Sequence, residues 1–378
     1  MESVVLRSRL AAAYAGRRVF VTGHTGFKGS WLVTWLNRLG ADVSGYSLDP
    51  PTDPCLFEIA RISEIVRSET GDVRDLDHLA TAMKERDPEI VFHLAAQAIV
   101  RRSYDEPVET MTTNVMGTVN VLEAVRRLGK PCATVIVTSD KCYENRESVH
   151  GYREPDPMGG NDPYSASKGC AELVTECWRR SFSHDGASFR VATVRAGNVI
   201  GGGDWAADRI VTDCIASLCR GAPVEVRNPT AVRPWQHVLE PLSGYLWLGA
   251  KLLEDGDSKW QSPWNFGPAT QDVKNVRELV EQILRAWGTG DWVDVSSGRH
   301  PAETRWLALD WSKAFRLLGW RPTWTFDEAV ERTVRWYRAW KDGRGDMKEL
   351  CLSQIDSYEE MAARRGAPWA ETRPGEDS

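Results

Sequence analysis

A β-branched and aromatic run, Arg18-Val19-Phe20-Val21-Thr22, leads directly into Gly23-His24-Thr25-Gly26-Phe27-Lys28-Gly29, and that turn opens a helix pattern. This succession marks a nucleotide-binding βαβ unit. Glycines at 23, 26 and 29 permit a tight turn, close approach of backbone to a pyrophosphate, and close packing of helix on strand. From Gly29 to Gly40, Trp31, Leu32, Trp35, Leu36 and Leu39 share one apolar face. The helix start offers unpaired N–H groups and a positive dipole end to phosphates. A second strand is expected over Asp42–Leu48, followed by Asp49. A carboxylate there can accept hydrogen bonds from an adenosine ribose and repels a 2′-phosphate, which favours NAD over NADP. Asp49 also begins an Asp49-Pro50-Pro51 turn, a local role that needs no ligand.

Tyr164 and Lys168 stand four apart in Asp162-Pro163-Tyr164-Ser165-Ala166-Ser167-Lys168. Pro163 suits the first turn of a helix, and i,i+4 spacing then puts phenol and ammonium on one face. The cation is expected to lower the phenol's pKa towards neutrality, making it a base for a sugar hydroxyl. Such pairs also occur on ordinary helix faces; the upstream glycine turn gives this one its meaning.

As far as about residue 200, short apolar strands alternate with amphipathic helices, the pattern of a parallel sheet covered on both faces. Glu89–Leu94 and Ala133–Thr138 are two such strands, whose C-terminal ends are expected to open onto one crevice. Beyond Asn198 come glycine-rich loops, scattered tryptophans and arginines, and shorter elements, with no internal repeat. The 378 residues suit one large or two intimate domains. A net charge of −6 argues against nucleic-acid or membrane partners. Eight scattered cysteines without a Cys-x-x-Cys pair read as reduced thiols of a cytoplasmic protein, not as a metal site or disulfide framework. No apolar run reaches membrane length, and Met1–Ala15, broken by arginines, reads as a short helix. From Gly366 onward Pro, Gly, Glu and Asp dominate, and a frayed tail over 366–378 is expected.

The order of Gly-x-x-Gly-x-x-Gly, Gly71-Asp72-Val73, His93-Leu94-Ala95-Ala96, Thr138-Ser139-Asp140 and Tyr-x-x-x-Lys resembles the extended short-chain dehydrogenase/reductases. More narrowly, Thr138-Ser139-Asp140-Lys141-Cys142-Tyr143, Arg195–Trp205 and Arg233-Pro234-Trp235-Gln236-His237-Val238 resemble CDP-glucose 4,6-dehydratases. Leu318-Gly319-Trp320-Arg321-Pro322 is similar to the C-terminal part of the wider nucleotide-sugar group, and the likeness covers about residues 15 to 345. It implies an α/β, Rossmann-type doubly wound parallel sheet with a smaller, interwoven C-terminal substrate domain. Residues 15–197 plus about 233–262 would form the NAD-binding unit, and 198–232 plus about 263–350 the nucleotide-sugar unit. It further implies a homodimer or dimer of dimers through helices near 108–128 and 163–182.

The same resemblance assigns roles. Cofactor contacts would come from Gly23, Thr25, Gly26, Phe27, Gly29, Asp49, Asp72, Val73, Leu94, Ala95, Ala96 and Thr138, together with Tyr164 and Lys168. Tyr164 would take the C4 hydroxyl proton while hydride passes to NAD, and Ser139 would bond the C4 oxygen. Asp140 would protonate the departing C6 hydroxyl, and Lys141 would take the C5 proton or hold the enolate. The related dTDP-glucose dehydratases carry Asp-Glu here, so Asp140-Lys141 points to CDP-glucose. An epimerase of the same fold has no use for an acid at C6. Arg209 and Arg233 are the candidates for the substrate's phosphates, because a guanidinium grips two oxygens at once. Asn198 could bond a phosphate or the sugar, and Arg227 and Asn265 the ribose or base. His237 could touch the ligand or be a structural histidine, and His93, inside an apolar strand, reads as core. Tryptophans 320, 324, 336 and 340 read as packing residues.

Overall fold

The computed structural model describes residues 8–182, 189–254, 257–297 and 306–372. Its centre is an all-parallel sheet of seven strands. Six are β1 (Arg18–Thr22), β2 (Asp42–Ser47), β3 (Arg67–Thr70), β4 (Ile90–His93), β5 (Cys132–Val137) and β6 (Phe189–Arg195); the edge strand Pro263–Asn265 lies beyond β6. The order is edge strand, β6, β5, β4, β1, β2, β3. Val19 of β1 pairs with Val43 of β2 on one side and Ile90 of β4 on the other. The chain therefore runs outward through β2 and β3, crosses back, and runs outward again through β4 to β6. Loops diverge where the order reverses, leaving a crevice at the carboxyl ends of β1 and β4.

Strand periodicity divides the core in two. Val19, Val21, Ile90, Phe92 and Val135 enter one cluster, while Phe20, Val91 and Ile136 enter the other. Successive residues point to opposite faces, so a strand buried on both sides reads as a continuous apolar run. The first helix spans Phe27–Arg38 and buries Trp31, Leu32, Trp35 and Leu36. Helix Leu239–Glu254 is buried almost all round its circumference, as befits an element enclosed between layers.

That helix brings the chain back to the sheet. The return was expected within about 233–262, but the strand itself is Pro263–Asn265, with Trp264 opposite Val194 of β6. Three residues are too few for an alternation to mark them. The helix expected near 108–128 is present as one continuous helical run from Pro107 to Arg127, with a π-turn over Thr112–Met116. Beyond β6 the smaller part carries short strand pairs, such as Val199–Ile200 with Gln236–His237 and Val224–Val226 with Trp292–Asp294.

The tryptophans pack. Trp320 and Trp336 are fully buried, Trp324 lies against His237, and Trp340 meets Trp205 edge-on at 5.2 Å. Residues 366–372 do not fray. Trp369 is 1% exposed and stacks on Tyr358, and its carbonyl accepts from Leu10 N–H at 3.1 Å. One indole outweighs the polar composition around it, because burying so large a ring offsets the cost of ordering a short segment. The rest of that expected tail, 373–378, lies outside the described residues. Among the described residues, no cluster of potential metal ligands occurs and no helix is long and apolar enough to cross a membrane.

Candidate active site

A cleft of about 1130 Å³ runs along the carboxyl ends of the strands and is roofed by the loops after β6. Its cofactor side is built from backbone. Gly23 has φ +74°, and a Cβ there would lie 2.6 Å from Ala95 N. At Gly29 a Cβ would fall 2.1 Å from Gly23 O, so both glycines answer to packing. Gly26 differs: its Cβ would make only an ordinary 3.5 Å contact, and the residue lines the cleft. It is also the N-cap of helix Phe27–Arg38 and supplies no side-chain cap, so the first-turn N–H groups remain for an anion. A dinucleotide pyrophosphate fits such a cradle.

Thr25 donates to Leu48 O at 3.0 Å and lies 2.8 Å from Ser47 Oγ, tying the turn to the end of β2. Asp49 stands exposed just beyond, on the cleft wall. The Arg74 guanidinium, forked on Asp72, holds that carboxyl below its usual range. Phe27, Val73, Leu94, Ala95, Ala96 and Thr138 line the same cleft.

The chemical centre forms where β5 meets helix Pro163–Phe182. Ser139 caps the 3₁₀ turn Asp140–Cys142: its Oγ accepts from Lys141 N at 3.2 Å and donates to Asp140 Oδ1 at 3.0 Å. Asp140 is 2% exposed, and burial holds its carboxyl above the usual range despite the cations of Lys141, Arg233 and Lys28. Its Oδ2 has no hydrogen-bond partner. Such a carboxyl favours its protonated form.

Tyr164 and Lys168 both line the cleft, but the phenol departs from expectation. Burial pushes Tyr164 up to about 12, opposed by a hydrogen bond with Ser139 and by the charge of Arg209. Desolvation of the phenolate outweighs every cation nearby. Lys168 is itself lowered to about 8 by burial, partly offset by Glu172 and Cys142, and its Nζ donates to Val137 O at 3.3 Å.

The wall of the cleft beyond β6 carries charge. Arg209 pairs with Asp204 at 2.6 Å, and Arg227 with Asp208 at 3.2 Å; Arg233, Asn198 and Lys141 line the same wall. Two expected ligand contacts do not reach the cleft. His237 is fully buried between Trp31 and Trp324, its Nδ1 accepting from Leu239 N. Asn265 is equally buried. It accepts from the Tyr143 hydroxyl at 2.7 Å and donates to Tyr152 O and Asp310 O, so it pins loops together. Both were placed by motif proximity, and strand geometry turns them inward. His93 is core: Thr22 and Thr118 hydroxyls flank its ring nitrogens, and burial lowers it to about 3.

The cleft also contains a cation that sequence reasoning missed. Lys28 projects from the glycine turn and is lowered to about 7, chiefly by burial and then by the charges of Arg209 and Lys168. Its one signal was its place between Gly26 and Gly29, a position that the glycine spacing leaves open. Arg101, which meets Asp208 at 3.2 Å, joins the two walls and carried no signal at all.

The sequence pattern of the GDP-mannose 4,6 dehydratase family matches residues 20–333. This chain belongs to that dehydratase family. A CDP-glucose 4,6-dehydratase of Salmonella typhimurium is 50% identical over 356 residues, covering 93% of this chain and 98% of that one. A dTDP-glucose 4,6-dehydratase of Streptomyces antibioticus is 32% identical over 271 residues, covering 71% and 75%. Among solved structures, the dTDP-glucose 4,6-dehydratase of Streptomyces venezuelae with NAD bound superposes with a TM-score of 0.73 at 25% identity, covering 87% of this chain and 99% of that one. The dehydratase fold is thus the Rossmann-type doubly wound sheet that the motifs imply.

Proposed function

We propose that this dehydratase converts CDP-glucose to CDP-4-keto-6-deoxyglucose and water, with NAD as its cofactor. The carrying observation is Asp140, a buried carboxyl that desolvation lifts above its usual range, beside Ser139 and sharing a cleft with Tyr164 and Lys168. Simple dehydrogenation needs no such acid. The choice of CDP-glucose rests on the likeness to the Salmonella typhimurium enzyme.

The Gly23–Gly29 turn, Asp49, Asp72 and the Leu94–Ala96 loop would hold NAD, which supplies reversible hydride acceptance when bound. Tyr164 takes the proton of the C4 hydroxyl, with Lys168 and Arg209 as the cations that favour its phenolate. Ser139 donates to the C4 oxygen as it becomes a carbonyl. The ketone acidifies C5–H, whose proton goes to Lys141 or leaves under the field of its ammonium. Asp140 then gives its proton to the C6 hydroxyl, which departs as water. The hydride taken from C4 is returned to C6 and a proton to C5, giving the 4-keto-6-deoxy sugar with no net change in the cofactor. Arg209 and Arg233 grip the diphosphate, exchanging present partners for phosphate oxygens, while Asn198 and Arg227 contact phosphate, sugar or ribose.

Residues 15–197 with the returning helix Leu239–Glu254 and its edge strand would serve the cofactor, and the rest the nucleotide sugar. Exposed Val108, Met116 and Leu173, on the helices that the resemblance assigns to a dimer contact, support a homodimer. Eight free cysteines support a cytoplasmic location, and the net charge of −6 disfavours nucleic acid. Incubation with CDP-, dTDP-, UDP- and GDP-glucose, followed by mass spectrometry, tests the whole reading. Loss of water from CDP-glucose without net NADH is expected; a higher kcat/KM for dTDP-glucose overturns the nucleotide assignment.

A further inference from the structure

Glu172 lies one turn beyond Lys168 on helix Pro163–Phe182 and is 5% exposed. Its Oε1 accepts from the Thr138 hydroxyl at 2.5 Å and Arg195 Nε at 2.9 Å. Its Oε2 accepts from the Thr193 hydroxyl at 2.6 Å and Arg195 Nη2 at 2.8 Å. Arg195 in turn donates through Nη1 to the Tyr143 hydroxyl at 2.6 Å and Glu154 O at 3.1 Å. One carboxylate thereby joins the catalytic helix to the ends of β5 and β6. Thr138 immediately precedes Ser139, and Tyr143 immediately follows the Asp140–Cys142 turn, so both flanks of Ser139-Asp140-Lys141 are tied to it. A buried ion pair is weak evidence for stability, since hydrophobic replacements often do as well. Its placement asks for another reason.

We propose that Glu172, with Arg195, is a positioning residue of the oxidation step: it holds the charge of Lys168 and, through Thr138, fixes Ser139 against Tyr164. This rests on the reading of Tyr164 and Lys168 as the oxidising pair. Titratable groups facing Lys168 are Glu172 and Tyr164 on its own helix, Cys142 from the turn, His93 from β4 and Lys28 from helix Phe27–Arg38. Burial keeps the Cys142 thiol and the His93 ring uncharged at neutral pH, and Lys28 opposes a second cation. Glu172 is thus the carboxylate that favours the ammonium.

The test is Glu172→Gln in the NAD-loaded enzyme. Trace labelling with acetic anhydride across pH, read by mass spectrometry, gives the midpoint at which Lys168 becomes a free amine. That midpoint and the pH at which kcat/KM stops rising should both move down by about one pH unit. A role in stability alone would lower the melting temperature and leave both unmoved, which overturns the proposal. Because Glu172→Gln strands a buried guanidinium, Glu172→Leu combined with Arg195→Leu removes both charges and should shift the midpoints the same way. Lys168→Met separates the two failures. If it abolishes C4 oxidation while the Glu172 variants keep the wild-type midpoints, only the positioning role falls. If oxidation survives Lys168→Met, the oxidising pair itself is misassigned.

Discussion

Two pieces of the same cleft experience burial with opposite chemical consequences. In the turn Asp140–Cys142, desolvation lifts a carboxyl above its usual range, towards the protonated form that the proposed proton donor needs. On helix Pro163–Phe182, it raises the phenol proposed as the base and lowers the lysine proposed to act as a cation. The turn is made ready by its surroundings; the helix works against them and depends on neighbouring charge. An acid is thus obtained by removing water, whereas a phenolate base requires cations held in place at a cost.

The contrast can be broken first at the helix. Tyr164→Phe removes the proposed base and should cost about 10²–10⁴-fold in kcat, since general-base catalysis contributes that much; steady-state turnover within a few-fold of the parent would assign the proton to another group. Next comes the turn. Asp140→Asn keeps the size and a hydrogen bond but has no proton to give, so water loss should slow by about 10²-fold or more. Oxidation at C4 should survive, and single-turnover absorbance should show reduced nicotinamide accumulating with the keto sugar. If oxidation slows as much as elimination, turn and helix are not separable.

Ser139 touches both pieces, bonding Asp140 and Tyr164. Ser139→Ala should therefore slow oxidation and elimination together, each by about ten- to a hundredfold, the worth of a hydrogen bond to developing charge. Unequal losses in pre-steady-state traces would tell which piece it serves. The smallest effect is a pH limb. Lys168 is required as an ammonium and lowered to about 8, and Tyr164 is required as a phenolate and raised to about 12. In consequence kcat/KM should rise with pH up to about 8 and level above it, where the gain in phenolate is cancelled by the loss of ammonium. Lys168→Arg, which cannot deprotonate in this range, should let the rise continue past about pH 8 at reduced activity.

Where the main chain itself does the work, the site was legible. Gly23 and Gly29 leave a mark because no other residue fits their contacts with Ala95 and Gly23 O. The Tyr164–Lys168 spacing shows one helix face, and the Thr138-Ser139-Asp140-Lys141 run ends a strand that reads as apolar. Side chains that act by where they point were harder to read. His237 and Asn265 sit in motifs beside ligand contacts, yet register turns both into the core. Arg101 meets Asp208 across more than a hundred residues of chain, a distance no local pattern spans.

By itself the amino-acid sequence determined the parallel sheet, the glycine turn and the residue types of the candidate site, because periodicity, glycine geometry and i,i+4 spacing are local properties. The protonation of those residues was decided by the tertiary structure alone. Desolvation depends on what packs around a group, and the elements burying Asp140, Tyr164 and Lys168 come from distant parts of the chain. That is why the spacing pointed to a lowered phenol, and the fold raised it to about 12.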